Sequence, residues 1–140
     1  MTGKKKNTKN PNTLDLLVGA IVLNKINAVK YLVSRCDVNE VDSHGNLPIM
    51  VCINYGRVEC LKLLLQNNAN PDIMDKKKGY PLLIYSLREE YIPNRYLIVK
   101  TLLKSNCNTQ FVSNIGTPLF VAKKLRRPIY ASLLKQYDAV

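Results

Sequence analysis

Apolar residues in this chain come in short bursts with helical spacing. Val58, Leu61, Leu64 and Leu65 fall at i, i+3, i+6 and i+7, which places them in one stripe along a helix. The burst is one copy of a line that occurs three times, at Asn24 to Val33, Gly56 to Leu65 and Asn94 to Leu103. Each copy opens on Asn or Gly, continues with a base (Lys25, Arg57, Arg95), and carries a lysine on the outer face (Lys30, Lys62, Lys100). From Asn24 to Gly56 is 32 residues and from Gly56 to Asn94 is 38. A period of this size predicts a solenoid of stacked supersecondary units, because one such unit cannot bury its apolar face alone.

Two further landmarks repeat in phase. Upstream lies a turn segment with a glycine and a proline: Gly45 and Pro48, Gly79 and Pro81, Gly116 and Pro118. A closing segment follows each second helix, at 35–39, 68–72 and 106–110. Each unit therefore reads as turn, short helix, short helix, loop. Glycine supplies the turn, and proline suits the first helical position, where its missing N–H would be unpaired anyway. The Asn or Gly ahead of the second helix is expected to break the chain and cap that helix.

Composition narrows the class. At 140 residues there is room for one domain or one short array. The chain is 46% hydrophobic, and 21 bases against 10 acids give a net charge of +11, which biases it toward acidic partners. The longest apolar run, Leu16 to Leu23, falls far short of the roughly 20 residues of a membrane span. Residues 1–10 are basic and polar, with no apolar segment after Lys4-Lys5-Lys6, so they are expected to form a disordered basic tail and not a secretory signal. Cys36, Cys52, Cys60 and Cys107 form no Cys-x-x-Cys pair and sit in small apolar slots of the repeat. They read as free thiols of a cytoplasmic or nuclear protein.

Little chemistry is visible. The single histidine, His44, lies near Asp42 and Ser43 at a predicted hairpin tip, where a general base would lack an orienter and an opposed nucleophile. The cysteines match no structural zinc spacing, and the scattered glycines form no phosphate loop. No catalytic residue, metal or cofactor is implied, and Glu89-Glu90 reads as a solvated loop.

These landmarks together resemble the ankyrin repeat. Thr117-Pro118-Leu119 with Ala122 is the cleanest match to its opening segment. Asp42, Gly45, Pro48, Cys52 and Gly56 cover a second copy, and Cys36-Asp37-Val38-Asn39 matches the closing segment. The resemblance covers about residues 12–138 and implies an all-α ankyrin-repeat solenoid of helix-turn-helix units joined by hairpin-like fingers. The units would span about 12–41, 42–74, 75–111 and 112–140, the outer two acting as caps. The family's histidine after Pro-Leu is missing throughout: Val18, Met50, Leu83 and Phe120 stand there, and only Thr117 keeps the threonine. Apolar stacking is therefore expected to replace the hydrogen bonds of that Thr-His pair. About five extra residues between Leu87 and Asn94 are expected to bulge from the inter-helix turn.

The resemblance implies a non-enzymatic protein-interaction module, an adaptor or competitive inhibitor that binds an acidic or mixed protein surface through a concave face. Its candidate contacts are positions that stacking leaves free: Ser43, His44, Asn46, Asn54 and Tyr55; then Lys76, Lys77, Lys78 and Tyr80; then Ser113, Asn114 and Lys124. Tyr55 is expected to weigh most, as an exposed aromatic, and Lys76 to Lys78 could share a face with Lys124. Neither a small-molecule substrate nor a membrane span is implied. The alternative is a basic module for nucleic acid or anionic lipid. Base readout is disfavoured, because Tyr31, Tyr85, Tyr96 and Tyr130 fall on apolar helix faces where packing would occupy them.

Overall fold

A computed structural model describes residues 11–140, so the expected basic tail at 1–10 lies outside the described residues. The chain divides into two compact units at Asn70 and Pro71. In the first unit, α1 (Pro11–Val22) pairs with α2 (Ile26–Leu32), and α3 (Pro48–Tyr55) pairs with α4 (Val58–Gln66). In the second, α5 (Leu82–Arg88) pairs with α6 (Arg95–Lys104), and α7 (Pro118–Lys124) pairs with α8 (Pro128–Lys135). Within each unit the first helices lie against each other, as do the second helices. The described residues hold no β-strand; isolated bridges, Met74 to Pro81 and Ser113 to Gly116, close the bases of two fingers. This is the all-α arrangement of stacked helix pairs that the repeat implied.

Left-handed backbone ends the helices. Asn24, Gly56, Asn94 and Arg126 all stand at φ near +60° between paired helices, and Asn68, Asn106 and Asp138 do so after second helices. That region disfavours most side chains, whereas Gly enters it freely and Asn tolerates it, so the recurrent Asn and Gly are backbone choices. The expected capping role is corrected: the N-cap positions of α2, α4, α6 and α8 make no side-chain capping bond. Thr117 does cap α7, accepting from Phe120 N at 3.2 Å. Pro48 and Pro118 open their helices as expected, but Pro81 stands one residue outside α5, in extended backbone.

The first unit's core is built from Leu17, Ile21, Ile49, Ile53, Leu61 and Leu64, and the second's from Leu82, Leu83, Ile84, Leu87, Ile98 and Leu102, all fully buried. On α4 the stripe is narrower than its spacing suggested, since Leu61 and Leu64 are buried with Cys60 while Val58 and Leu65 are half-buried. The four residues in the missing histidine's place diverge. Val18 and Leu83 are buried and Met50 is half-buried, whereas Phe120 stays 54% exposed.

Polar ties between consecutive helix pairs survive elsewhere. Asn39 Nδ2 donates to Asn68 O at 2.9 Å while its Oδ1 accepts Asn70 N at 2.8 Å. In the second unit Asp72 Oδ1 accepts Asn108 N, and Gln110 Nε2 donates to Asp138 O. The arginine that opens α4 and the one that opens α6 also have a task. Arg57 reaches from α4 to the end of α1, donating from Nε to Ile21 O at 3.1 Å and from Nη2 to Val22 O at 2.5 Å. It thereby supplies donors to carbonyls that a helix end leaves without partners. Arg95 does likewise for Ser86 O of α5 and for Glu90 O. The extra residues before α6 are pinned, because Ile92 is buried while Tyr91 stands 79% exposed.

Leu64→Ala should cost about 2–5 kcal/mol as a buried truncation, a large part of the roughly 5–15 kcal/mol of a small domain. Urea denaturation should therefore show a sharply lower midpoint, and a silent Leu64→Ala would mean the α4 register is wrong. Arg57→Ala should cost about 1.5–3 kcal/mol for the lost charged hydrogen bonds, and Arg57→Lys should recover little because lysine lacks the planar fork. Full rescue by lysine in the same titration would show that charge alone matters there.

Candidate binding surface

Each finger is locked by its own acid or hydroxyl. Asp42 is buried at the base of the first finger, and its Oδ1 accepts both His44 N at 2.9 Å and Asn46 N at 2.8 Å. Asp75 does the same in the second unit, accepting Lys78 N at 2.9 Å. Ser113 Oγ accepts Ile115 N at 3.2 Å and donates to Gly116 O at 2.8 Å. These bonds leave the tips outward: Ser43, His44, Asn46, Lys76, Lys77, Lys78 and Asn114 are exposed, and Ser113 is half-buried.

Ser43 also has a partner that its position in the sequence did not disclose. Its amide and hydroxyl donate to Asp15 on α1, with Oγ 2.8 Å from Oδ2. These bonds hold the Asp15 carboxyl below its ordinary value of 3.8, the Ser43 amide contributing most. His44 Nδ1 lies 3.3 Å from the same Oγ. Serine, histidine and aspartate thus meet, but the Asp15 hydrogen bonds go to the serine and not to the imidazole, which is not the order of a serine-histidine-aspartate triad. The chemical consequence is a finger fastened to α1.

Among the helix positions, Asn54 and Tyr55 are exposed on α3, with the Arg57 guanidinium 5.8 Å from the Tyr55 ring. Tyr80 is corrected: it is only 7% exposed and serves the core of its unit, its ring facing Arg88 at 5.4 Å. Tyr31, expected to pack, is 60% exposed with the Arg35 guanidinium 3.7 Å above its ring. Tyr96 and Tyr130 do pack, with ring centroids 6.0 Å apart. Glu89 is not a solvated loop residue. It holds Lys78 at 2.9 Å and lies 3.9 Å from Arg88. Lys76 and Lys77 have no ion pair among the described residues, and neither does Lys124.

Sequence reasoning missed a groove in the second unit. It encloses about 720 Å³ between Arg88 at the end of α5, the finger before α7, and α7 itself. Its apolar wall is Val112, Ile115, Phe120 and Leu125, and Asn114 and Lys124 from the expected set border it. Gly116 makes room for the Phe120 ring: at φ +114° a Cβ there would come within 2.4 Å of Phe120. A visible signal was Phe120 itself, an aromatic where the repeat pattern has histidine. The cysteines offer no nucleophile beside these surfaces. Burial pushes the Cys107 thiol up to about 12 and the half-buried Cys36 up to about 11, so both stay protonated near neutrality.

Comparison with known proteins agrees with this geometry. A family model described as ankyrin repeats, three copies, matches residues 2–77. An ankyrin repeat protein of Acanthamoeba polyphaga mimivirus is 32% identical over 129 residues, covering 86% of this chain. The chain spans 21% of that relative's length, about a fifth.

Because Asp15 is held below its ordinary value, its contact with Ser43 stabilises the fold above the carboxylate range. That contribution should fade as pH falls through the lowered Asp15 value. Melting temperatures of the parent and of Asp15→Asn should differ most at neutral pH and converge on acidification. A difference independent of pH would show that the carboxylate charge does not fasten the finger.

Proposed function

The chain belongs to the ankyrin repeat family, and from that premise we infer that it is a non-enzymatic adaptor or competitive inhibitor for a protein with an acidic or mixed surface. Ankyrin repeats are in general protein-interaction modules and are typically non-catalytic. The observation that carries the finer reading is the division of labour within each finger. Buried Asp42 and Asp75 hold the backbone, and although Ser43 and Lys78 are tied back to Asp15 and Glu89, the tips also project side chains with no ion pair among the described residues. Lys76 and Lys77 are such side chains, in a protein of net charge +11. An acidic protein face would gain from these charges in rate and orientation more than in raw affinity.

Candidate contacts are Ser43, His44, Asn46, Asn54 and Tyr55 in the first unit, with Lys76, Lys77, Lys78, Ser113, Asn114 and Lys124 in the second. Tyr80 drops out because it is buried. Lys78 contributes with part of its charge already answered by Glu89.

The combined Lys76→Glu, Lys77→Glu, Lys78→Glu variant tests this. Lys77→Glu alone should shift stability by no more than about 0.5 kcal/mol, as expected of an exposed loop position. The triple variant should lose proteins that the parent chain captures from a lysate, with a melting curve close to the parent's. Recovery of nucleic acid instead, with affinity falling steeply as salt rises, would overturn the reading.

A further inference from the structure

We propose that the groove beside α7 is a docking site for a short peptide segment that presents one or two large apolar side chains flanked by carboxylates. The proposal rests on the protein-binding reading above and deepens it by naming the chemistry of the segment that binds.

Three observations converge. First, Val112, Phe120 and Leu125 are 72%, 54% and 41% exposed, and together with Ile115 they line one concavity. Scattered exposed apolar residues are ordinary, whereas several along one concave wall mark a surface that gains from being covered. Second, the volume of about 720 Å³ lies within the roughly 300–1,000 Å³ of ligand sites, room for a pair of leucine- or phenylalanine-sized side chains. Third, the charged residues lining the groove are all bases. Arg88 and Lys124 both line it, the Lys124 Nζ 6.0 Å from the Phe120 ring centroid. Glu89 partly answers Arg88 at 3.9 Å, and no carboxylate among the described residues pairs with Lys124.

Charge selects the occupant. A second copy of the chain would bring another +11 against this one, and a purely apolar ligand would leave Lys124 unanswered. An acid-flanked apolar segment satisfies both the wall and its rim, since apolar burial supplies affinity and the bases supply orientation. The structure also ranks the contacts. Phe120, which lies in the wall close against Gly116, takes the place that sequence reasoning gave to Tyr55.

The test is an amide-resolved NMR titration of the whole chain with a panel of hexapeptides. Each carries a Leu, Ile, Phe or Tyr pair between two Asp or Glu on either side. Controls replace the central pair with serines or the acids with lysines. At least one acidic member should bind saturably, shifting Thr117, Phe120 and Lys124. Phe120→Ser should weaken it by about tenfold or more, in the manner of a central anchor. Lys124→Glu should weaken it severalfold at low salt, and Tyr55→Ala should change nothing. Phe120 and Val112 are already exposed, so Val112→Ser serves as a second variant if Phe120→Ser does not fold.

No saturable binding by any acidic member, equal binding of the lysine control, or shifts confined to other residues would overturn the proposal. So would self-association of the chain that Phe120→Ser abolishes, which would make a second copy the occupant. Lysate capture that survives Phe120→Ser but fails with the reversed finger lysines would overturn the groove alone and leave the protein-binding reading standing.

Discussion

A helix of seven to twelve residues has too few hydrogen bonds to hold itself in water, and every helix described here falls in that range. What holds them is the burial of their apolar stripes against the other helices of the same unit. Ile49 and Ile53 of α3 and Leu17 and Ile21 of α1 are buried together in the first unit, and the α5 residues Leu83 and Leu87 join such a core in the second. The turns, caps and fingers are subordinate to this contact. Left-handed residues, Asn24, Gly56, Asn68 and Asn106 among them, turn the chain between helices, and Arg57 closes the seam with two hydrogen bonds to α1.

The same constraint explains what was legible in advance. Leu61 and Leu64 were readable because burial imposes helical spacing on them, and Pro48 and Pro118 because a missing N–H is harmless at a helix start. The role of Asn24 and Asn94 was misjudged as capping, because the same residue type serves caps and left-handed turns and the sequence does not display φ. Tyr80 was misplaced for a related reason. The finger pattern marks a position as variable, but the direction of a side chain at the finger's base depends on the bridge between Met74 and Pro81.

Less of the candidate surface was visible than of the fold. The outward fingers Ser43, His44 and Lys76 to Lys78 could be inferred from the repeat, yet their anchors could not. Asp15 lies 28 residues before Ser43, and Glu89 lies 11 residues after Lys78. Both are partners made only by folding. The groove was hidden for the same reason, since Arg88, Val112 and Leu125 belong to different elements and share no local pattern. Phe120 gave the one clue, but the sequence grouped it with Val18, Met50 and Leu83 as a source of apolar stacking, and of these only Val18 and Leu83 are buried.

Mutual burial as the source of order is a claim about the helix pairs in isolation. Circular dichroism of a peptide covering residues 43–70, which contains α3 and α4, compared with the whole chain at equal residue concentration, tests it most directly. The peptide is predicted to be largely unstructured and to melt without a cooperative transition, while the whole chain is helical and unfolds cooperatively. A peptide that is as helical per residue as its share of the whole chain would contradict the account.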